Sequence, residues 1–100
     1  MPVNVRTPEG QEFDTVASNV SIGGIALQNL PYEAQNSLTL QLAFRVPGVE
    51  RPIQAESEIA WCSREGHAGI KFLHLDEDSA TDLKRWILQK QLEEGWTVLK

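Results

Sequence analysis

From Leu38 to Val46 the chain alternates without a break: Leu38, Leu40, Leu42, Phe44 and Val46 are apolar, and Thr39, Gln41, Ala43 and Arg45 stand between them. Period two over this length fits a β-strand with one buried face, because successive side chains on a strand point to opposite sides. A helix would scatter the same residues around its circumference. Pro47-Gly48 ends the run, and Ile53, Ala55, Ser57, Ile59 and Trp61 resume the period on a return strand whose Gln54, Glu56 and Glu58 face water. On that parity Trp61 belongs in the core or beneath a helix, as large aromatics usually do. Shorter runs appear at Val3 and Val5, at Phe13 to Val16, at Ile25 with Leu27, and at Ala68 to Leu73, punctuated by Pro8-Glu9-Gly10 and Arg64-Glu65-Gly66. Six short antiparallel strands over residues 3 to 74 predict a small barrel or sandwich, since closing a sheet hides its edges.

The last quarter changes period. Asp76, Glu77, Asp78 and Ser79 place acids and an N-cap candidate ahead of Ala80, with Ser79 and Asp82 in a capping arrangement. A helix from about residue 80 to 94 follows, and Gly95 is a natural stop. Leu83, Trp86 and Ile87 share a face that would pack on the strands, whereas Leu88 and Leu92 form a second stripe that Trp96 and Leu99 extend. This second stripe predicts a partner surface, including a homodimer through the helix, unless residues 96 to 99 fold back to cover it.

One hundred residues make one domain, 1 to 100. A net charge of −5 argues against a general DNA binder or an anionic-membrane binder, both of which need a basic surplus. No apolar run is long enough to span a membrane, and the first residues do not begin a secretory signal. The single cysteine, Cys62, excludes an internal disulfide framework and makes a cytoplasmic setting the expectation.

Between the second and third strands stands Ser18-Asn19-Val20-Ser21-Ile22-Gly23-Gly24, which contains [DN]-x-S-x-x-G. An amide at Asn19 both donates and accepts, which matches the mixed edge of a purine. Ser21 adds a short hydroxyl, and Gly23 and Gly24 would permit positive φ and let a flat ligand approach the backbone. Such residues also fill plain turns, so the motif specifies little by itself. Its surroundings add more. Asn19 to Gly24, then Ile59-Ala60-Trp61 on a strand, then Gly69-Ile70-Lys71-Phe72 before a closing helix come in an order that resembles the PilZ domain, a bacterial receptor module for cyclic di-GMP. The resemblance covers nearly the whole chain and implies a six-stranded antiparallel Greek-key-like barrel with a C-terminal helix.

The resemblance further implies that Asn19 and Ser21 contact a guanine edge while Gly24 keeps the turn open beneath it. It also implies an R-x-x-x-R arm ahead of the first strand, whose guanidinium groups would grip phosphates through forked hydrogen bonds and stack on the bases. That signature is absent, and Arg6 is the only arginine before Asn19. Losing one such charge-assisted contact costs ~1.5–3 kcal/mol. Either the arm belongs to a longer protein, which the presence of Ser21 favours, or this is a degenerate domain that no longer binds nucleotide.

Arg6, Arg64 and Lys71 are the cations that could reach a phosphate, with Lys71 and Arg6 ahead of Arg64 at a hairpin tip. His74, Asp76 and Asp78 read as an acidic helix start rather than metal ligands. Cys62 has no activating partner and no acid–base pair presents itself, so no metal, cofactor or catalytic residue is expected. The expectation is a non-catalytic cyclic di-GMP receptor that signals to a protein partner or fused domain. The alternative is an adaptor without nucleotide that acts through protein contacts. A small barrel enzyme or a single-strand nucleic-acid binder fits less well.

Overall fold

A computed structural model describes residues 1–93. The strands are β1 (Pro2–Arg6), β2 (Glu12–Val20), β3 (Gly24–Leu27), β4 (Leu40–Phe44), β5 (Ile53–Cys62) and β6 (Ala68–Leu75), with helices α1 (Tyr32–Gln35) and α2 (Glu77–Glu93). All ladders are antiparallel and the order β1-β2-β3-β6-β5-β4 closes on itself, β1 pairing with β2 on one side and β4 on the other. The six-stranded barrel with a C-terminal helix is therefore as expected. Val3, Val5, Leu42, Phe44, Ile53, Ile70 and Phe72 fill it, with the rings of Phe44 and Phe72 stacked at 6.1 Å.

The two ends are closed differently. The link from β3 to β4 crosses one end, because those strands are not neighbours. Its Leu30 and Ala34 are buried, and Leu30 is tied by its N–H to the Gly66 carbonyl in the β5–β6 hairpin. The sequence reading had no helix here; α1 is a single turn without a side-chain cap and carries almost no periodic signal. Leu38 lies ahead of the first β4 pair, Leu40 with Ser57, and is 88% exposed rather than buried.

Helix α2 covers the other end with Leu83 buried and Trp86 and Ile87 packed against the core. It starts earlier than the sequence suggested. The N-terminal cap is Asp76, whose carboxylate accepts the Ser79 N–H at 2.7 Å. Ser79 instead accepts the Gln54 N–H at 3.1 Å through its hydroxyl, which pins the helix to β5. Asp82 joins Asp78 in holding Arg51. No described helix is long and apolar enough to cross a membrane.

Trp61 is not in the core. On β5 one residue, Ala60, falls between Ile59, paired with Ile70, and Trp61, paired with Gly69, while Ile70 and Gly69 are consecutive on β6, so Ala60 is a bulge. One extra residue reverses parity, and Trp61 emerges on the outer face, 55% exposed. The same happens on β2. Ala17 pairs with Leu27 and Asn19 with Ala26, so Ser18 is extra and Asn19 points outward. Gly23 and Gly24 also act otherwise than expected, since positive φ occurs only at Gly10, Gly48 and Gly66 among the described glycines. Gly24 is needed for space: a Cβ there would sit 2.2 Å from the Ile70 carbonyl oxygen of β6.

Two outcomes follow. Gly24→Ala forces the β3 and β6 backbones apart and should cost about 1–3 kcal/mol in urea unfolding, whereas Gly23→Ala, with open space around it, should be nearly neutral; equal effects would contradict the close approach. The Ser79 backbone N–H, above all, holds the Asp76 carboxyl below its ordinary value. The cap's stabilisation is thus complete above the unfolded-chain pKa of about 3.9 and disappears as pH falls through the lower folded value. Asp76→Asn keeps a capping oxygen but does not titrate, so its Tm should fall less than wild type between about pH 5 and pH 2. Parallel declines would contradict that assignment.

Candidate functional site

The bulges on β2 and β5 bring the two re-aimed residues into one line. Ladder partners run Asn19 to Ala26, Ala26 to Gly69 and Gly69 to Trp61 across β2, β3, β6 and β5. At ~4.8 Å per ladder step the line is roughly 14 Å long, with an amide at one end and an indole at the other. Its floor is low because Ala26 and Gly69 carry little or no side chain. The Trp61 ring leans over Gly69, where a Cβ would come within 2.2 Å of its Nε1. A neighbouring row runs from Glu58 to Lys71 to Gly24, and the Gly24 carbonyl accepts the Ser21 N–H. Asn19, Ser21, Gly23, Gly24 and Lys71 therefore gather on one outer patch.

Their hydrogen bonding is uneven. The Ser21 hydroxyl accepts the Gly24 N–H at 3.2 Å and faces the Gly24 carbonyl at 3.3 Å, so it is largely engaged in closing its own turn. Ser18 likewise leans on the Ala26 carbonyl at 3.4 Å. The exposed Asn19 amide has no side-chain hydrogen bond among the described residues, which leaves both its donor and its acceptor to a ligand or water. Lys71 is exposed and in no described ion pair.

Arg6 is not brought to this patch. It pairs in register with Glu12, seven residues before Asn19 along β2, and forms an ion pair with Glu12 at 3.1 Å. That places it roughly 20 Å away at ~3.3 Å per residue, at the α1 end of the barrel. Arg64 sits in the β5–β6 hairpin at that same end.

Beside Asn19 the surface drops into a cleft of about 810 Å³ between the barrel and α2. Met1 and Pro2, Ser18 to Val20, the residues from Arg45 to Val49, and Trp86, Ile87, Lys90 and Gln91 of α2 form its walls. Arg45 donates to the Glu50 carbonyl at 2.8 Å, and the Lys90 ammonium lies 6.0 Å from the Trp86 ring centroid. The sequence reading did not single out Arg45 or give Trp61 an outward role. Arg45 was legible as an outward residue of an alternating strand, but the bulge that exposes Trp61 had no signal beyond Ala60 itself.

Among the described residues no group of His, Cys, Asp and Glu could hold a metal ion. Asp76 caps α2 and Asp78 pairs with Arg51. Cys62 is an exposed free thiol whose only described contact is with the Ser63 carbonyl. On the α2 stripe that was left over, Leu88 is 53% and Leu92 69% exposed; Trp96 and Leu99 lie outside the described residues.

Comparison with known proteins agrees with this architecture. A solved structure titled Structure of Bacillus subtilis Inhibitor of motility (MotI/DgrA) superposes with a TM-score of 0.69 at 22% identity, covering 92% of this chain and 46% of that one. The chain thus spans about half the length of that protein. No curated protein matches. The PilZ domain family model matches residues 1–89, from the first strand through most of α2, and the chain belongs to the PilZ domain family.

Proposed function

We propose that this domain is a non-catalytic receptor for cyclic di-GMP, whose bases lie along the outer line from Asn19 to Trp61. The observation that carries this reading is the pair of bulges that turns an unpartnered amide and an exposed indole to one face, on either side of a floor of Ala26 and Gly69. The indole covers Gly69, so the space open to a flat ring is the low surface at Ala26, between Asn19 and the Trp61 ring. The Asn19 amide would read the purine edge, the Trp61 indole would stack or close over a base, and Lys71 would face a phosphate. Family membership supports the same assignment, since PilZ domains are generally binding modules rather than enzymes. Gly24 serves indirectly, by letting β3 approach β6 so that the Ser21 turn lies flush with Lys71.

A second reading has its own observation. Arg6, the one arginine ahead of Asn19, is paired with Glu12 at the opposite end of the barrel, so residues 1–18 supply no guanidinium to this patch. A domain lacking that grip would act as an adaptor through protein contacts, with the exposed Leu88 and Leu92 of α2 as its surface and a second copy or another protein as its partner. Under the receptor reading the missing charge comes from beside the patch, from a segment ahead of Met1 or from a partner. In either case ligand or partner binding would shift a conformational population rather than drive a reaction.

Calorimetric titration with cyclic di-GMP separates the two readings. For the receptor, saturable binding is weakened roughly 10-fold by Asn19→Ala, which removes about 1–2 kcal/mol of hydrogen bonding. Trp61→Ala should weaken it roughly 5- to 100-fold, since a stacked base contributes ~1–3 kcal/mol. Arg6→Ala, distant and paired elsewhere, should leave affinity unchanged. No heat at millimolar nucleotide, from a chain extended upstream as well as from this one, favours the adaptor.

A further inference from the structure

A nucleotide read at Asn19 brings phosphate to a chain with fourteen acids against nine Lys and Arg, so a place where the charge turns locally positive constrains where that phosphate lies. The cleft between the barrel and α2 is such a place. Among its described lining residues the charged side chains are Arg45 and Lys90, and none is an Asp or a Glu. Val20, Val46, Val49 and Ile87 give it apolar walls. Cations beside walls of low dielectric act on an anion more strongly than on an open surface, because water screens them less. Elsewhere the cations are opposed: Lys71 pairs in register with Glu58, and Arg51 is held by Asp78 and Asp82.

The cleft and the outer patch share Asn19, which lines the one and begins the line of ladder partners across the other. Arg45 follows Phe44, the partner of Val3, and so stands at the end of β4 beside Pro2, which pairs with Val16 of β2. Two ladder steps, roughly 10 Å, separate the β2 and β4 backbones. Lys90 comes from the facing wall, on α2. Arg45 is anchored through Nη1, which donates to the Glu50 carbonyl at 2.8 Å. That bond uses one of the five N–H donors of a guanidinium.

We propose that the cleft is the phosphate half of the site: Arg45 and Lys90 hold a phosphodiester of the same cyclic dinucleotide whose base Asn19 reads. This rests on the receptor reading and deepens it, by placing part of the missing charge within the described residues. Arg45 supplies directed, charge-assisted donors, and Lys90 supplies a point charge. Because one cation belongs to the barrel and the other to α2, the bound phosphate also ties the helix to the barrel.

The test titrates cyclic di-GMP calorimetrically into the full 100-residue chain and into one extended upstream. Arg45→Gln should weaken binding roughly 10- to 100-fold, and Lys90→Gln at least about 3-fold, through loss of charged contacts. Lys84→Gln, which removes the same charge from the same helix away from the cleft, should stay within about 2-fold. Arg45→Lys, which keeps the charge, should recover part of the loss. Added salt should weaken the wild type more than the Arg45→Gln/Lys90→Gln double variant. Binding that Asn19→Ala weakens and the two cleft variants leave unchanged overturns this inference while the receptor reading stands. A loss in Arg45→Gln that tracks a fall in Tm, with Lys90→Gln unchanged, makes Arg45 a support for the Glu50 turn and overturns it as well. No saturable binding to either chain overturns the inference and the receptor reading together.

Discussion

Pairing of β1 with β4 is the constraint on which everything else rests, because it turns a six-stranded ribbon into a ring. In an open sheet a strand can slip at an edge; in a ring each register is fixed by both neighbours. Val3 opposite Phe44 and Val5 opposite Leu42 lock the closing ladder with fully buried side chains. From there the face on which each residue lies follows from parity. A closed barrel of this size has its interior filled with side chains, so chemistry belongs on the outside or at the ends.

The barrel moves individual side chains outward by local breaks in parity. Ser18 on β2 and Ala60 on β5 are each one residue too many, and each reverses the residue that follows. Without the first, Asn19 would share the inward parity of Thr15 and Ala17; without the second, Trp61 would share that of Ser57 and Ile59. The cost is an interrupted ladder at two points, offset by the continuous strands on either side. Both breaks lie in the strands flanking β3 and β6, so the two exposed groups face each other across the narrowest side chains of the sheet.

This explains which parts of the molecule were legible in the sequence. The alternation of Leu40, Leu42 and Phe44 and the switch of period at Asp76 are cumulative signals spread over many residues, and they specify the strands, their antiparallel order and the helix. A bulge is a single residue without a characteristic type, so the outward turn of Trp61 could not be read from Ile53 to Trp61, where unbroken alternation is the simplest interpretation. Positive φ was expected at both Gly23 and Gly24 and occurs at neither: Gly24 matters for the carbonyl of Ile70 across the ladder, a long-range fact, and Gly23 has open space around it. Arg6 illustrates the opposite limit. As the only arginine ahead of Asn19 it was a candidate for a phosphate, but antiparallel pairing sets it on β1 beside Glu12, at the far end of β2 from Asn19.

Under the receptor reading, the electrostatics of the patch would make it one half of a two-part site. The chain carries fourteen acids against nine Lys and Arg, so its overall field repels an anion and any attraction must be local. On the patch itself Lys71 is the described cation, and its ladder neighbour on β5 is Glu58, which dilutes it. Ser21 has little hydrogen-bonding capacity left once it has closed its turn on Gly24. What remains for a ligand is shape, the Asn19 amide and the Trp61 ring, a set suited to recognising a base and poorly suited to holding two phosphates. A nucleotide bound here would therefore need cations from beside the patch, where Arg45 lines the cleft that borders Asn19, or from outside residues 1–93. The patch would then supply the base-reading wall, and the charge would come from its flank or from an arriving segment.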